Sequence, residues 1–236
     1  MASTGAAGRR RPPLSEEGSA EAQKRAAAEA AAELIDDGMR VGLGTGSTVA
    51  HLLPALAARG LRGLRCVATS PATERVALEL GLEVLALDEL GELDVAVDGA
   101  DQVDPACWLV KGGGGAHVRE KIVAAAARRF VVIVSAEKVV AELTAPVPLE
   151  LLAFGVSRTL AAVAPAELRA GTPPSPDGGL IADYLGAVGD PAALAERLSA
   201  TPGVVDHGLF APELVSDVLI GEADGSVSHR RSPKAG

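Results

Sequence analysis

The arrangement of apolar and polar positions divides the chain into two parts with different patterns. Between residues 38 and 135, short apolar runs alternate with longer segments of mixed polarity that contain the helix-favouring residues. The predicted strands of this part are residues 40–43, 65–69, 83–87, 93–97 and 130–135. Because these runs are apolar throughout, they are typical of parallel strands that helices cover on both faces.

Helices are predicted between these strands from composition and from signals at their ends. Gly38 follows a segment rich in Ala, Glu, Lys and Arg, at a position that favours a helix end. Ser70 and Pro71 form a typical N-cap and first turn. The helices are expected over residues 19–37, 49–58, 71–81 and 118–129.

The second pattern begins near residue 144 and combines short helices with short strands. An edge or transition strand is predicted over 146–152, a helix over 157–168, a loop over 171–179, a strand over 180–185, a helix over 191–200 and a strand over 203–206. This order favours a small α+β domain with two helices on an antiparallel sheet. Residues 214–220 are again continuously apolar, so this strand can return to the first sheet.

These patterns predict the domain organisation of the chain. Residues 19–143, completed by residues 212–225, are expected to form an α/β domain, and residues 144–211 the small α+β domain. The polar segments 1–18 and 226–236 are expected to be disordered tails. No apolar segment follows the arginines near the start of the chain, so an export signal is not expected.

Composition excludes several classes of partner. Only 2% of the 236 residues are aromatic and the net charge is −9, whereas nucleic-acid binders need stacking platforms and clustered cations. No apolar stretch reaches the roughly 18 residues needed to span a bilayer. Cys66 and Cys107 lie in or beside apolar segments and are interpreted as reduced core thiols of a cytoplasmic protein.

Three segments combine glycine with residues that can carry chemistry, and each follows a predicted strand. The first is GLGTGST at 42–48, where glycines allow close approach to a ligand and a helix N-terminus offers N–H groups to an anion. Thr45, Gly46, Ser47 and Thr48 are its candidate phosphate-binding residues. The dinucleotide fingerprint is incomplete, because Ser47 stands at the third glycine position. A plain glycine-rich turn is the alternative.

The second segment is DGAD at 98–101, at the carboxyl end of an apolar strand, where open α/β sheets bind ligands. Asp98 and Asp101 could face one cleft and serve proton transfer, hydroxyl binding or a divalent metal. A turn-capping role is the alternative for either residue. Gly99 and Ala100 lie between them.

The third segment is KGGGGAHVRE at 111–120. Four consecutive glycines are costly to order, by about 0.5–1 kcal/mol each relative to Ala, and a linker makes little sense between a strand and a helix. A nest of N–H groups from Gly112, Gly113 and Gly114 that stabilises an oxyanion explains the run better. Lys111 supplies a cation, and Glu120 is the carboxylate near this loop. His117 is at least as consistent with packing as with catalysis.

Taken together, these segments closely resemble ribose-5-phosphate isomerases of the A type. The matching segments are GLGTGSTVAHLL (42–53), TSPATERVALELG (69–81), DVAVDGADQVDP (94–105) and LVKGGGGAHVREKIVA (109–124). The resemblance implies a Rossmann-like parallel-sheet domain with a smaller α+β, ferredoxin-like domain. It also implies interconversion of D-ribose 5-phosphate and D-ribulose 5-phosphate without a metal or redox cofactor, in a homodimer or tetramer.

The resemblance assigns a role to each candidate residue. Glu120 is similar to the family's base, which moves the proton between C2 and C1. Asp98 and Asp101 correspond to residues that assist ring opening and hold hydroxyls, while Lys111 and the glycine N–H groups would stabilise the enediolate. Lys24 and Lys138 resemble further substrate-binding lysines, and residues 45–48 the substrate-binding loop.

The chain departs from the family pattern at three places, and two other functions compete with the isomerase. Gln102 stands where the family often has Glu, His117 where it usually has an apolar residue, and residues 169–184 are altered. A non-catalytic sugar-phosphate sensor would keep the phosphate loop but would not need Glu120, Lys111, Asp98 and Asp101, and all four are present. The incomplete fingerprint argues against a nucleotide-dependent oxidoreductase.

Overall fold

The structure is a computed structural model that describes residues 16–233, with side chains from residue 19. Strands alternate with helices as far as residue 135, as the apolar pattern predicts, except that three strands follow one another between residues 95 and 110. The strands are β1 (Arg40–Leu43), β2 (Arg65–Ala68), β3 (Glu83–Val84), β4 (Val95–Asp98), β5 (Gln102–Val103), β6 (Leu109–Val110) and β7 (Phe130–Ser135). The helices are α1 (Glu16–Ala32), α2 (Val49–Ala58), α3 (Pro71–Glu79), α4 (Leu87–Leu90) and α5 (His117–Ala125).

The remaining elements follow a short 3₁₀ helix at Ala136–Lys138. The strands are β8 (Val147–Leu151), β9 (Ala166–Leu168), β10 (Leu180–Tyr184), β11 (Val204–His207), β12 (Leu209–Phe210), β13 (Asp217–Gly221) and β14 (Val227–Arg231). The helices are α6 (Val156–Ala162) and α7 (Pro191–Ser199). Among residues 16–233, no helix is both long enough and apolar enough to cross a membrane.

The large sheet has seven strands in the order β14-β13-β7-β4-β1-β2-β3. Every neighbouring pair is parallel except β13 with β14. From β1 the chain proceeds outward to β2 and β3, and then returns to β4 on the other side of β1. Such a reversal of strand order opens a crevice at the carboxyl ends of the two central strands, where α/β proteins bind ligands.

Apolar side chains cover both faces of this sheet, which confirms the predicted α/β fold. On one face Val41, Leu43 and Ile133 pack with residues of α1 and α2. On the other face Ala96 and Val132 pack with residues of α5. The predicted N-cap of α3 is also present, because the Ser70 hydroxyl accepts a hydrogen bond from the Thr73 N–H.

The second sheet contains β8 to β11 in the antiparallel order β11-β8-β10-β9. With α6 and α7 these strands form a β-α-β-β-α-β unit, the ferredoxin-like arrangement. Val147, Leu149 and Leu151 of β8 share a core with Leu194 and Leu198 of α7. A third sheet, β12-β6-β5, connects the two parts of the chain, and Lys111 directly follows its central strand.

Several expected elements differ in the structure. The strand expected at 83–87 ends at Val84, because Leu87 begins the short helix α4. The helix expected at 157–168 ends at Ala162, before Pro165, which cannot donate a helical hydrogen bond, and β9 follows. The edge or transition strand expected at 146–152 is β8, which begins the second part of the chain but lies inside its sheet rather than at an edge. Its Pro148 carbonyl accepts a hydrogen bond from Gly208 N–H.

The expected tails also differ where the structure describes them. The prediction of a disordered tail over 226–236 is wrong for the residues of β14. Val227 packs against the core, and the strand pairs along β13. The buried Asp217 carboxylate of β13 accepts hydrogen bonds from Arg129 and from His229 of β14, so a polar side chain of β14 also contacts β13. At the other end α1 begins at Glu16 rather than at residue 19. The remaining expectations, for residues 1–15 and 234–236, lie outside the described residues.

Candidate active site

The crevice at the point of strand reversal contains a cleft of about 180 Å³. Loops after β1, β4 and β6 converge on it, and α1, α5 and the 3₁₀ helix complete its wall. The lining residues are Lys24, Thr45, Gly46, Ser47, Thr48, Gly99, Ala100, Asp101, Lys111, Gly112, Gly113, Gly114, Glu120, Glu137 and Lys138. The structure therefore brings together every predicted site residue, with Asp98 immediately behind the lining, and adds Glu137.

A lysine between two carboxylates lies at the inner end of the cleft. Lys111 Nζ is 3.0 Å from Asp98 Oδ2 and 3.1 Å from Glu120 Oε2, and it donates a hydrogen bond to the Gly99 carbonyl at 2.5 Å. All three charged side chains are at most 5% exposed. The ammonium group is thus held in one place by groups from two segments, the Asp98–Gly99 turn and α5.

Burial sets the protonation of this group of three. It raises the pKa of Glu120 to about 7, with a further increase from the Asp98 charge and an opposing decrease from Lys111. Burial likewise raises the pKa of Asp98. For Lys111, burial favours the neutral form, but the two carboxylates overcome this and raise its pKa above the ordinary value. The cluster therefore combines a fixed cation with a carboxylate that exchanges its proton near neutral pH.

Asp98 is fixed by the first glycine loop. Its Oδ1 accepts hydrogen bonds from Thr45 N–H at 3.0 Å and from Gly99 N–H at 2.7 Å. A Cβ atom added to Gly44 would lie 2.0 Å from the Asp98 carboxyl carbon. Gly44 is therefore required for the close approach of the Asp98 side chain, whereas sequence reasoning attributed the glycines of this loop to the approach of a ligand.

The Thr45 hydroxyl belongs to a chain of hydroxyl groups that sequence reasoning missed. It lies 2.8 Å from the Thr69 hydroxyl, and the Thr73 hydroxyl donates to the Gly44 carbonyl at 2.9 Å. Both Thr69 and Thr73 are buried. Their signal in the sequence is the second matching segment, which begins at Thr69, directly after β2. These residues brace the loop from behind.

The N-terminus of α2 faces the cleft. No residue that the structure describes accepts a hydrogen bond from the N–H groups of Gly46, Ser47 and Thr48. Free N–H groups at the start of a helix, together with its dipole, form an anion site. Lys24 and Lys138 line the same cleft, where the Gln23 side chain accepts a hydrogen bond from Ala136 N–H and ties α1 to the 3₁₀ helix.

The second glycine loop turns sharply between Lys111 and α5. Gly112 and Gly115 have φ values of 107° and 73°, in the left-handed region that favours glycine, and Gly115 N–H donates to the Gly112 carbonyl. Gly113 N–H donates to Asp101 Oδ2 at 2.9 Å, so this group is occupied by the protein. Gly114 lines the cleft, and its N–H has no acceptor among the described residues.

The other residues singled out in the sequence lie outside this chemistry. His117 is buried against Gly112, and neither ring nitrogen has a hydrogen-bond partner among the described residues. Burial lowers the pKa of His117 to about 4, so the ring is neutral at physiological pH and has a packing role. The Gln102 amide braces Thr144 through its oxygen and nitrogen. Cys66 and Cys107 are buried free thiols.

The fold and the cleft define a class of protein. It is an α/β enzyme with an anion-binding helix terminus at one end of the cleft and a carboxylate–lysine–carboxylate cluster at the other. Such a pair of features suits proton transfer on a small phosphorylated substrate.

Comparison with known proteins then identifies the family. Residues 65–225 match the model of ribose 5-phosphate isomerase A (phosphoriboisomerase A). Ribose-5-phosphate isomerase A of Caulobacter vibrioides (strain NA1000 / CB15N) is 47% identical over 223 residues, covering 89% of this chain and 98% of that protein. The chain belongs to the ribose 5-phosphate isomerase A family.

Solved structures agree with this assignment. A D-ribose-5-phosphate isomerase in complex with phospho-erythronic acid superposes with a TM-score of 0.85 at 34% identity, covering 90% of this chain and 99% of that one. Ribose 5-phosphate isomerase A from Methanocaldococcus jannaschii gives a TM-score of 0.83 at 32% identity, covering 88% and 97%.

Proposed function

We propose that this protein interconverts D-ribose 5-phosphate and D-ribulose 5-phosphate through an enediolate, a step of the non-oxidative pentose phosphate pathway. The observation that carries the proposal is the contact of Glu120 and Asp98 with one buried ammonium group, that of Lys111, beside an anion-binding loop. Family membership and the names of the relatives support the same reaction.

Glu120 is the proposed base. In the open-chain aldose it removes the C2 proton, and the electron pair of that bond forms the C1–C2 double bond while the C1 carbonyl oxygen takes the negative charge. The protonated Glu120 then delivers a proton to C1, and the O2 hydroxyl proton moves to O1, which leaves a ketone at C2. A pKa of about 7 suits a group that must both accept and release a proton.

Lys111 and Gly114 N–H are the proposed partners of the developing negative charge. The ammonium is already fixed by Asp98, Glu120 and the Gly99 carbonyl, so it need not reorganise during the reaction. The oxygens of Asp98 contact Lys111, Thr45 and Gly99, which supports a role in positioning the lysine rather than in holding sugar hydroxyls. Asp101 lines the cleft and is the carboxylate proposed to assist ring opening.

The phosphate is proposed to bind at the opposite end of the cleft, at the N–H groups of Gly46–Thr48 and the N-terminus of α2. Lys24 and Lys138 supply cations there, which offsets the negative net charge of the protein. Phosphate binding would hold the reacting carbons beside Glu120, so that binding energy at one end orients the other. The phospho-erythronic acid complex of a related isomerase supports a phosphorylated, anionic ligand for this fold.

The test uses purified protein treated with a metal chelator. Its conversion of D-ribose 5-phosphate is monitored directly by NMR, without coupling enzymes. The proposal predicts a mixture of the aldose and D-ribulose 5-phosphate that reaches the same ratio from either side. Absence of conversion, with phosphate still bound in calorimetry, would instead favour a non-catalytic sugar-phosphate sensor. The buried cluster argues against the sensor, because binding alone does not need a carboxylate that titrates near neutral pH.

The pH dependence of kcat/KM follows from the same carboxylate. Glu120 must be ionised to accept a proton, and its raised pKa of about 7 places the loss of the base at neutral pH. We expect kcat/KM to rise with pH through a midpoint near 7 and to level off above it. The substrate phosphate titrates lower, near pH 6. A profile that is flat from pH 8 down to about pH 6 would contradict this assignment.

A homo-oligomer in the cytoplasm is also part of the proposal. Phe154 is 94% exposed, and Leu152 beside it is 53% exposed, which fits an apolar contact between subunits. The two buried free thiols fit a reducing compartment.

A further inference from the structure

We propose that Arg169, in the small domain, is a positioning residue that holds the glycine loop in the orientation needed to stabilise the enediolate. This inference rests on the proposed isomerase function and adds a residue that the sequence motifs do not contain. Arg169 directly follows β9 and opens the segment 169–184. It does not line the cleft, so any effect on the reaction must pass through the loop.

Arg169 contacts the loop through two backbone carbonyl groups. Its Nη1 donates to the Gly112 carbonyl at 3.1 Å and to the Gly113 carbonyl at 3.0 Å. The rest of the guanidinium is held by Asp183 of β10, whose two oxygens accept from Nε at 2.8 Å and from Nη2 at 2.6 Å. The donor fork is thus anchored on the small domain and directed at the loop.

The orientation of one peptide group connects Arg169 to the cleft. In a trans peptide the C=O and N–H groups point in opposite directions. Because Arg169 binds the Gly113 carbonyl, the N–H of Gly114 in the same peptide points away from Arg169, and Gly114 itself lines the cleft. Glycine peptides can otherwise rotate with little steric restraint, so an external anchor has a large influence here.

The charge of Arg169 acts in the same direction. Guanidinium is permanently charged, and hydrogen bonding to Asp183 raises its pKa further, with a smaller contribution from the Asp101 charge. A cation on the carbonyl side of a peptide polarises it and strengthens its N–H as a donor. Lysine lacks the planar fork, so it cannot bind Asp183 through two donors and the loop carbonyls at once.

Arg119 provides a matched control within the same protein. It lies on α5, and its Nε and Nη2 each donate to Asp177 of the small domain at 2.8 Å. This bidentate salt bridge connects the first part of the chain with the small domain, as the hydrogen bonds of Arg169 to the glycine loop do. Among the described residues, its side chain makes no hydrogen bond to the glycine loop. Loss of Arg119 therefore reports the purely structural effect of removing such a bridge.

The experiment compares Arg169→Gln, Arg169→Lys and Arg119→Gln with the wild type. The measured quantities are kcat, KM, melting temperature, and the dissociation constants of phospho-erythronic acid and inorganic phosphate. We expect both Arg169 variants to lose about 10- to 100-fold in kcat. This loss is smaller than the roughly 100- to 1,000-fold cost of removing a whole oxyanion donor, because the Gly114 N–H is still present but less well oriented. KM and the dissociation constant of inorganic phosphate should stay within about threefold of the wild-type values. Phospho-erythronic acid, which carries a carboxylate as well as a phosphate, should bind more weakly. Arg119→Gln should keep kcat within about twofold.

The outcomes separate this inference from the proposed function. Wild-type protein without isomerase activity would overturn the proposed function itself. An active wild type with unchanged kcat in Arg169→Lys, or an equal loss of kcat in Arg119→Gln, would overturn the positioning role. If Arg169→Gln does not fold, Arg169→Lys decides the question, because it keeps the positive charge and the aliphatic stem.

Discussion

Glu120→Gln is expected to lower kcat at least about a thousandfold, because the amide cannot accept the C2 proton. The substitution keeps the size of the side chain and one oxygen beside Lys111, so the cleft should keep its shape. The dissociation constant of phospho-erythronic acid, measured by calorimetry, is therefore expected to stay within about threefold of the wild-type value. Kinetics at pH 8, where Glu120 is ionised, give the largest difference.

The matched control is Glu150→Gln. Glu150 is a buried glutamate whose pKa is also raised by burial, but it contacts Ser175 on the small domain, outside the cleft. We expect its kcat to remain within about twofold of wild type. Retention of near-normal turnover by Glu120→Gln would remove Glu120 as the base.

Lys111→Met has the second large expected effect, and it changes both catalysis and stability. Loss of the cation beside the enediolate is expected to lower kcat by about a thousandfold. It also leaves Asp98 and Glu120 buried without their partner, which costs about 3–5 kcal/mol for a broken buried pair. The two carboxyl pKa values then rise further above their unfolded values, so stability relative to wild type falls as pH rises. Kinetics and urea unfolding at pH 5 and pH 8 measure the two effects.

Lys121→Met separates the loss of a partly buried, ion-paired lysine from the loss of Lys111 itself. Lys121 lies on α5, and its Nζ contacts Asp206 and the His207 carbonyl. Its replacement should lower stability while kcat stays within about threefold of wild type. A kcat of Lys111→Met within tenfold of wild type would contradict the assigned role.

The meeting of the site segments could be predicted from the sequence. Three glycine-containing segments follow apolar strands, and carboxyl ends of parallel strands lie on one edge of a sheet. That rule brings Gly46, after β1, and Asp101, after β4, to one cleft without any knowledge of side-chain contacts. Lys111 follows β6 of the antiparallel third sheet, so its place in the cleft was expected only from the family resemblance. Strand β7 was equally predictable, because a short uninterrupted apolar run between a helix and a turn is typical of a buried strand.

Contacts between distant segments could not be predicted. The approach of Asp98 to Gly44 depends on the spacing of β1 and β4, and the contact of Arg169 with Gly113 depends on how the small domain lies against the loop. Neither spacing leaves a local pattern in the sequence. The prediction for β14 was wrong for a related reason. Most of its residues are polar, and only their pairing with β13 makes them a strand.

Isomerisation in D₂O shows whether Glu120 moves a proton through an enediolate. The sample is D-ribose 5-phosphate with chelator-treated wild-type protein, and the readout is the proton NMR signal at C2 of the aldose and C1 of the ketose. Because the proton held by a carboxylate exchanges with solvent, we expect deuterium at both positions over many turnovers, and none above background with Glu120→Gln. Complete equilibration with every substrate proton retained would contradict this expectation, since direct transfer of hydrogen between the carbons needs no base.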